Sequence, residues 1–279
     1  VLLLRTMRQI NVLVLGFGNV GQAFAAMVLQ KRAELAGVGL EIVVKGISTG
    51  SHGATLQSGS AVGVDLAACL QLCRAGGAWR LPQGCTPVET TEDMLDAVAS
   101  LQLEIDAVLE GIPANFATGE PALSYLRRAI VELKCHAITA SKGPVLHGVK
   151  ELETAAEAAG KRFLFESSVM DGIPVFSFLR AMPGVAVRSF EGILNSTTNI
   201  ILTEMENRQC TFDDALKKAQ EEGIAERDPS GDIDGHDAAT KVAVLSAVVL
   251  GAEGAATTSA ISTAGIGHVT LDDVNAAVK

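Results

Sequence analysis

The stretch INVLVLGFGNVG, residues 10–21, joins a short β-branched run to three glycines, and the apolar-periodic QAFAAMVLQKRAEL of residues 22–35 follows directly. That order predicts a strand, a tight turn and a helix. Gly16, Gly18 and Gly21 satisfy G-x-G-x-x-G in the context the motif needs, after a strand and opening a helix. The first glycine permits the turn, the second lets a pyrophosphate approach the backbone, and the third lets helix pack on strand. Phosphates would sit on the helix N-terminus, where free N–H groups and the dipole favour anions. Gly16, Phe17, Gly18, Asn19, Val20 and Gly21 are therefore the expected dinucleotide-binding turn; a glycine turn without a nucleotide is the weaker reading in this context. GISTGSHG, after the second expected strand, has no Asp or Glu for an adenosine-ribose 2′-hydroxyl, which favours NADP. It has no Arg for a 2′-phosphate either, so NAD and NADP both stay open.

Working outward, LEIVVKGIS (40–48), EIDAVLEGI (104–112) and HAITAS (136–141) read as further strands, separated by helical patterns such as GEPALSYLRRAIVEL (119–133). Strands alternating with helices imply right-handed parallel crossovers and a Rossmann-type doubly wound α/β sheet over residues 7–143. Ser51 to Pro87, rich in Gly, Ser and Ala, is less readable, although VDLAACLQLCRAG within it looks helical. After Lys142 the rhythm changes. KELETAAEAAG reads as a helix ended by Gly160, KRFLFESSV as a strand, PVFSFLRAMPG as a short helix and VAVRSFEGIL (185–194) as a strand. TNIILTEMEN and TFDDALKKAQEEG follow as helices, and VTLDDVNAAVK begins with a T-x-x-D cap. The expectation for residues 144–279 is an α+β domain with an antiparallel sheet.

Composition narrows the function classes. A net charge of −10 offers no basic excess to neutralise phosphates, which argues against nucleic acid and for small-molecule chemistry. The apolar run VAVLSAVVLGA (242–252) is too short to cross a bilayer and follows Lys241, so it reads as a buried helix, with no membrane expected. Five cysteines (Cys69, Cys73, Cys85, Cys135, Cys210) without a CxxC suggest neither a disulfide framework nor a zinc site, and point to reduced thiols in the cytoplasm. The opening residues lack the pattern of a secretory signal, and Met7 is the expected natural start.

The most charged stretch, ERDPSGDIDGHDAATK (226–241), places five carboxylates in its first twelve positions and closes on Lys241. As a calcium loop it fails, because with Gly235 at the sixth position the bidentate glutamate at the twelfth is replaced by that lysine. It can also be a solvated loop in which Asp237 and Lys241 make an ordinary i, i+4 surface pair. Against this, Lys241 begins the buried part of a helix. The residues alone leave a surface pair and a functional pair level.

GFGNVG, GEPA, TASKGP, GIPVF, GILNSTTNIILTEM, FDDALKKAQEEGIAERDPSGDIDGHDAATKVAVLS and GIGHVTLDDV occur in the order and spacing of homoserine dehydrogenases. The chain resembles that family over essentially its whole length, most specifically from Gly192 to Lys241. The resemblance implies NAD(P)-dependent interconversion of L-homoserine and L-aspartate 4-semialdehyde in threonine, methionine and isoleucine biosynthesis, by a homodimer whose second domain binds substrate and dimerises. A dehydrogenase of another small amino or hydroxy acid, or an inactive dinucleotide-binding homologue, is the alternative. Lys241 matches the family's catalytic lysine, and Lys142, in SKGP, the lysine near the nicotinamide. Asp237 would orient Lys241; Glu226, Asp232 and Thr197 match substrate-binding positions, and Gly223 a backbone contact to cofactor. Glu166, Val169, Asp171 and Ile173 match positions whose carbonyls hold a structural sodium ion in some members. Two departures stand out. NSTTN places Ser196 where the family usually has glycine, and the segment that usually follows GIGHVTLDDV and returns to complete the nucleotide domain is expected to be missing.

Overall fold

The computed structural model describes residues 7–50, 52–57, 63–75, 86–252 and 258–278. Cys85, residues 1–6 and parts of the Ser51–Pro87 stretch lie outside the described residues. The chain divides into two compact units, Val1–Ile173 and Pro174–Lys279.

In the first unit the elements run β1 (Arg8–Leu15), α1 (Asn19–Gly37), β2 (Leu40–Thr49), β3 (Gly53–Leu56), α2 (Leu66–Ala75), β4 (Thr86–Val88), α3 (Thr91–Ser100), β5 (Ala107–Glu110), α4 (Ala122–Val131), β6 (His136–Thr139), α5 (Lys142–Ala158), β7 (Phe163–Leu164) and α6 (Ser167–Met170). They build one seven-stranded sheet in the order β4-β3-β2-β1-β5-β6-β7. The five strands from β2 to β7 through β1 are parallel, and β3 and β4 extend one edge antiparallel.

The alternation of β1 explains why the sheet is covered on both faces. Val12 and Val14 join Ala25 and Val28 of α1 and Leu66, Cys69 and Leu70 of α2 in one core. Leu13 and Leu15 point the other way, into a core with Met94, Leu95 and Val98 of α3 and Tyr125 and Ala129 of α4. Four consecutive buried residues are what a central parallel strand requires. β1 lies between β2 and β5, so the direction of winding reverses at the carboxyl ends of β1 and β5. Open α/β sheets bind ligands in that crevice.

The boundary between units falls after Ile173, thirty residues beyond the expected break at Gly143 and residue 144. The intervening chain makes one more parallel crossover, since β7 pairs with β6 (Ala137 to Phe163, Ile138 to Leu164) and α5 connects them. α5 also starts earlier than KELETAAEAAG suggested. Ser141 is extended at its N-cap, and Pro144 falls in the first turn, where a missing N–H costs nothing.

The second unit carries α7 (Val175–Arg180), α8 (Ser196–Arg208), α9 (Phe212–Glu221), α10 (Ser230–Ile233), α11 (His236–Val249), a 3₁₀ turn at Thr258–Ala260, and α12 (Leu271–Ala277). Ile201 and Met205 of α8 pack with Ala215 and Ala219 of α9, and Ile266, Val269 and Val274 close this core. The cap expected in VTLDDV forms, with Thr270 and Asp273 bonding each other's backbone. The strand expected at VAVRSFEGIL does not. Residues 185–194 have no regular structure, and among the described residues Pro174–Lys279 holds no strand. A strand needs a ladder partner, and the antiparallel sheet expected there has none within the described part of this unit. The helix expected at VAVLSAVVL is present, with Ala243, Val244, Leu245 and Ala247 buried. Among the described residues no helix is long and apolar enough to cross a membrane.

Candidate functional site

Each unit carries one group of the expected residues. In the first, the glycine turn lies at the point where the winding reverses. Gly16 has φ +93°, and a Cβ there would meet the Gly111 carbonyl oxygen at 2.5 Å. A Cβ on Gly21 would meet the Gly16 oxygen at 2.3 Å, so α1 approaches the turn only because residue 21 has no side chain. Gly18 is different, because nothing lies within 4 Å of its Cβ position. The first and third glycines thus serve packing, and the second leaves open space at the N-cap of α1. Phe17 is buried, whereas Asn19 and Val20 are exposed in the first turn of the helix.

These residues border a cavity of about 910 Å³ lined by Gly16, Phe17, Gly18, Ser48, Thr49 and Gly111 among others. Its size and its place at a helix N-terminus fit a dinucleotide. At the end of β2 the lining is neutral. The Thr91 hydroxyl donates to Ser48 Oγ (2.9 Å), and the Thr49 hydroxyl donates to the Gly53 carbonyl and accepts from His52 N–H. Lys142 is the first residue of α5, half-buried, next to the buried Ser141. Sequence reasoning missed Glu110, a fully buried carboxylate at the end of β5.

The expected sodium positions surround α6. Glu166 stands at its N-cap, Val169 is buried, Asp171 at its C-cap has φ +52°, and Ile173 N–H bonds the Met170 carbonyl at 3.0 Å. A left-handed φ on a residue with a side chain is uncommon and breaks the helix there. Among the described residues no group of three or more His, Cys, Asp or Glu side chains is placed to hold a metal.

The second unit shows where the side chains of the acidic loop go. α10 occupies Ser230–Ile233, and Gly235, at φ +84°, turns the chain into α11. A side chain at Gly235 would strike Thr263 Cγ2 at 2.7 Å. The five carboxylates then separate by role. Asp228 Oδ1 accepts the Ser230 N–H at the start of α10, and those Ser230 hydrogen bonds hold its carboxyl below the usual range. Glu226 and Asp234 are exposed. Asp232 and Asp237 instead share one donor, the Asn195 amide, whose Nδ2 lies 2.6 Å from Asp232 Oδ1 and 3.1 Å from Asp237 Oδ2. Asn195 is buried, and its Oδ1 caps α8 by accepting Thr198 N–H at 2.8 Å. Thr197, also buried, lies in the first turn of the same helix.

Lys241 joins this cluster. Its Nζ lies 2.9 Å from Asp237 Oδ2 and donates to the Leu194 carbonyl at 2.7 Å, with only 15% of its side chain exposed. An ammonium has three hydrogens, and two of them are directed here, leaving one for a further acceptor. The pair is therefore part of a half-buried polar cluster built from α8, α10 and α11. Asn195 had a signal in sequence, since it precedes STTN as an N-cap residue does, but its two carboxylate partners are 37 and 42 positions away. Glu226 lies outside the hydrogen-bonded cluster, and Gly223, at φ +72°, ends α9 with no atom near its Cβ position.

Comparison with known proteins gives a consistent result. The family model for homoserine dehydrogenase matches residues 174–279, the second unit. An NAD(+)-dependent homoserine dehydrogenase of Pseudomonas canavaninivorans is 34% identical over 275 residues, covering 97% of this chain and 74% of that protein. A homoserine dehydrogenase of Methanocaldococcus jannaschii is 33% identical over 242 residues, 86% of this chain and 69% of its own. Among solved structures, a putative homoserine dehydrogenase of Archaeoglobus fulgidus superposes with a TM-score of 0.78 at 27% identity, covering 96% of this chain and 76% of that one. One from Thiobacillus denitrificans gives 0.72 at 32% identity, with 98% and 56% covered.

Proposed function

The chain belongs to the homoserine dehydrogenase family of oxidoreductases, and from that premise we propose which of its residues carry the interconversion of L-homoserine and L-aspartate 4-semialdehyde. This reading is favoured over another small amino- or hydroxy-acid dehydrogenase and over an inactive homologue. It places the chain in amino-acid biosynthesis.

A bound NAD or NADP supplies or accepts the hydride at its nicotinamide ring. The chain's own contribution is placement and proton transfer. Lys241 is the proposed acid and base, giving a proton to the aldehyde oxygen as it becomes an alkoxide and taking it back from the alcohol in the oxidative direction. Asp237 and the Leu194 carbonyl fix its Nζ, and one remaining N–H can face the substrate oxygen. Asp232, steadied by Asn195, and the exposed Glu226 are the proposed partners of the substrate ammonium, with Thr197 beside them. Lys142, at the start of α5, is the second candidate for proton exchange, on the nicotinamide side. Gly16 to Gly21 are proposed to cradle the pyrophosphate, and Gly223 to offer a backbone contact. The observation that carries this reading is the half-buried Lys241–Asp237–Asn195–Asp232 cluster, which a surface ion pair does not need.

The test is homoserine oxidation, followed by absorbance of the reduced nicotinamide with NAD and with NADP. Lys241→Ala is expected to lose about 10²–10⁴ in kcat, with dinucleotide affinity unchanged. Near wild-type turnover would assign the proton to another group, Lys142→Ala being the next to measure. The two dinucleotides in one assay also decide cofactor preference, which the neutral end of β2 leaves open.

Three finer points belong to the same proposal. A homodimer through the second unit would cover Phe178, Val185, Ile193 and Ile200, whose apolar side chains are exposed; light scattering gives the mass. A sodium ion on the carbonyls of Glu166, Val169, Asp171 and Ile173 suits neutral oxygen donors and the break at Asp171, and would make thermal stability depend on sodium more than on potassium. A cytoplasmic location fits the thiols of Cys73, Cys135 and Cys210.

A further inference from the structure

Glu110 has no place in the chemistry above, yet it is the most deeply buried carboxylate described. It ends β5 at 0% exposure, between Leu15 of β1 and Thr139 of β6 in the sheet register. A buried carboxylate is unfavourable unless hydrogen bonds replace its water. Three do so. Oε1 accepts the Ile112 N–H at 2.8 Å and the Ser141 hydroxyl at 3.0 Å, and Oε2 accepts the Thr139 hydroxyl. Burial pushes its carboxyl above the ordinary range, while the bonds from Thr139, Ile112 and Ser141 oppose that shift.

The partners fall on two separate loops at the carboxyl edge of the sheet. Ile112 lies in the exit loop of β5, which lines the dinucleotide-sized cavity with Gly111 and Pro113 and packs Gly111 against Gly16. Thr139 and Ser141 form the exit of β6, where the Ser141 N–H is also held by Thr139 Oγ1 at 2.9 Å, and the next residue is Lys142. Ser141 stands at the N-cap of α5, but its hydroxyl goes to Glu110 and makes no cap bond to the helix. A serine at that place ordinarily stabilises its own helix. Here that contribution is given up to tie α5 to β5. Glu110's neighbour across the register on β1 is the apolar Leu15, so the sheet itself does not require a charge at this level.

We propose that Glu110 is a positioning residue for cofactor binding, one carboxylate that sets the loop Gly111–Pro113 against the glycine turn and holds the start of α5, with Lys142, in register with it. The inference rests on the reading of the crevice as the dinucleotide site. Its consequence is selective: losing the carboxylate loosens the cofactor side, while the polar cluster of Asn195, Asp232, Asp237 and Lys241 keeps its hydrogen bonds.

Glu110→Leu keeps volume and removes every acceptor, and Glu110→Gln keeps one acceptor oxygen. Dissociation constants for NAD, NADP and their reduced forms, measured by titration on the full chain, are compared with the homoserine KM and kcat and with Tm. Glu110→Leu is expected to weaken the preferred dinucleotide about tenfold or more and leave the homoserine KM within about twofold, while Tm falls because the Ile112, Thr139 and Ser141 donors lose their acceptor. Glu110→Gln is expected to fall between Glu110→Leu and wild type, about threefold weaker. If Glu110→Leu does not fold, the Gln variant alone decides, and wild-type affinity in it overturns the proposal. Wild-type dinucleotide affinity in Glu110→Leu overturns it too, as does an equal loss on cofactor, homoserine and Tm, which marks a residue that only holds the fold. A wild-type chain that binds no dinucleotide overturns the underlying reading as well. A wild type that binds and turns over beside unaffected variants overturns only the role of Glu110.

Discussion

Asn195→Asp separates the two roles of Asn195, because it keeps one and inverts the other. The Oδ1 that caps α8 remains, and aspartate caps a helix as well as asparagine does. The Nδ2 that donates to Asp232 and Asp237 becomes an oxygen without a hydrogen, facing carboxylates that were 2.6 and 3.1 Å away. Two unit charges at such separations repel by about 5–6 kcal/mol with an effective dielectric near 20. Asp237 is already paired with Lys241 at 2.9 Å, so Asp232 carries most of this. Protonating one carboxyl relieves the repulsion, which costs about 4 kcal/mol at pH 7 for an ordinary carboxylate and caps the penalty. With partial exposure at Asp237 (23%), the expected loss is about 2–3 kcal/mol. That corresponds to a fall in Tm of about 4–12 °C.

The sign with pH follows from linkage. In the variant a folded-state carboxyl is raised above its unfolded value, so the folded state binds more protons at mildly acid pH, and the penalty shrinks as pH falls from 7 towards 4. Asn195→Ala loses the cap and both donors without adding charge, so its deficit stays nearly flat over the same range. Thermal unfolding of wild type and both variants between pH 5 and 8, with homoserine KM alongside, is the assay. A deficit in Asn195→Asp below about 0.5 kcal/mol, or one that does not narrow towards pH 5, refutes the role of Asn195 as shared donor to Asp232 and Asp237.

Other expectations test the rest of the molecule. Gly16→Ala meets both a left-handed φ and the Gly111 oxygen at 2.5 Å, and should cost about 2–4 kcal/mol in chemical denaturation along with dinucleotide binding. Gly18→Ala, with nothing within 4 Å, should keep Tm within about 2 °C yet weaken dinucleotide binding about tenfold or more by filling the space a pyrophosphate needs. The Cys135 thiol, fully buried and pushed up to about 12 by desolvation, should resist disulfide reagents at pH 8 until the chain unfolds; native-state labelling at the rate of a surface thiol would contradict this. Burial, with Lys161 and Arg162 adding to it, holds His136 below its ordinary value. The unfolded state therefore takes up the proton first, and stability should fall as pH drops through about 6.5 and level off below the folded-state value. Proton NMR of the ring and the pH dependence of Tm in His136→Gln check both parts.

The residues of INVLVLGFGNVG were enough to read a strand, a turn and a helix, because backbone preference and the two-residue alternation of β1 act within a few positions of each other. The caps at Thr270 and Asp273 and the buried face of α11 were legible for the same reason. β3 and β4 were not, since strands of four and three residues exist through their pairing and have little propensity of their own. The strand read at VAVRSFEGIL failed from the opposite side: its composition suits a ladder, but composition supplies no partner.

The candidate site divides along the same line. Local sequence and family resemblance picked out the glycines, Lys142, Asp232, Asp237 and Lys241, but could not rank a surface pair against a functional one. Burial and distance add that the pair is not a solvated surface pair, through Asn195 and the Leu194 carbonyl, which reach Lys241 and its neighbours from about forty residues away. Glu110 stayed hidden inside AVLEG, an apolar run in which a glutamate reads as the end of a strand. What the sequence determined by itself is what depends on neighbours along the chain: element type, turn chemistry, helix caps and the class of fold. What only the tertiary structure decided is which polar groups lose their water together, because desolvation and hydrogen-bond geometry belong to groups that meet in space.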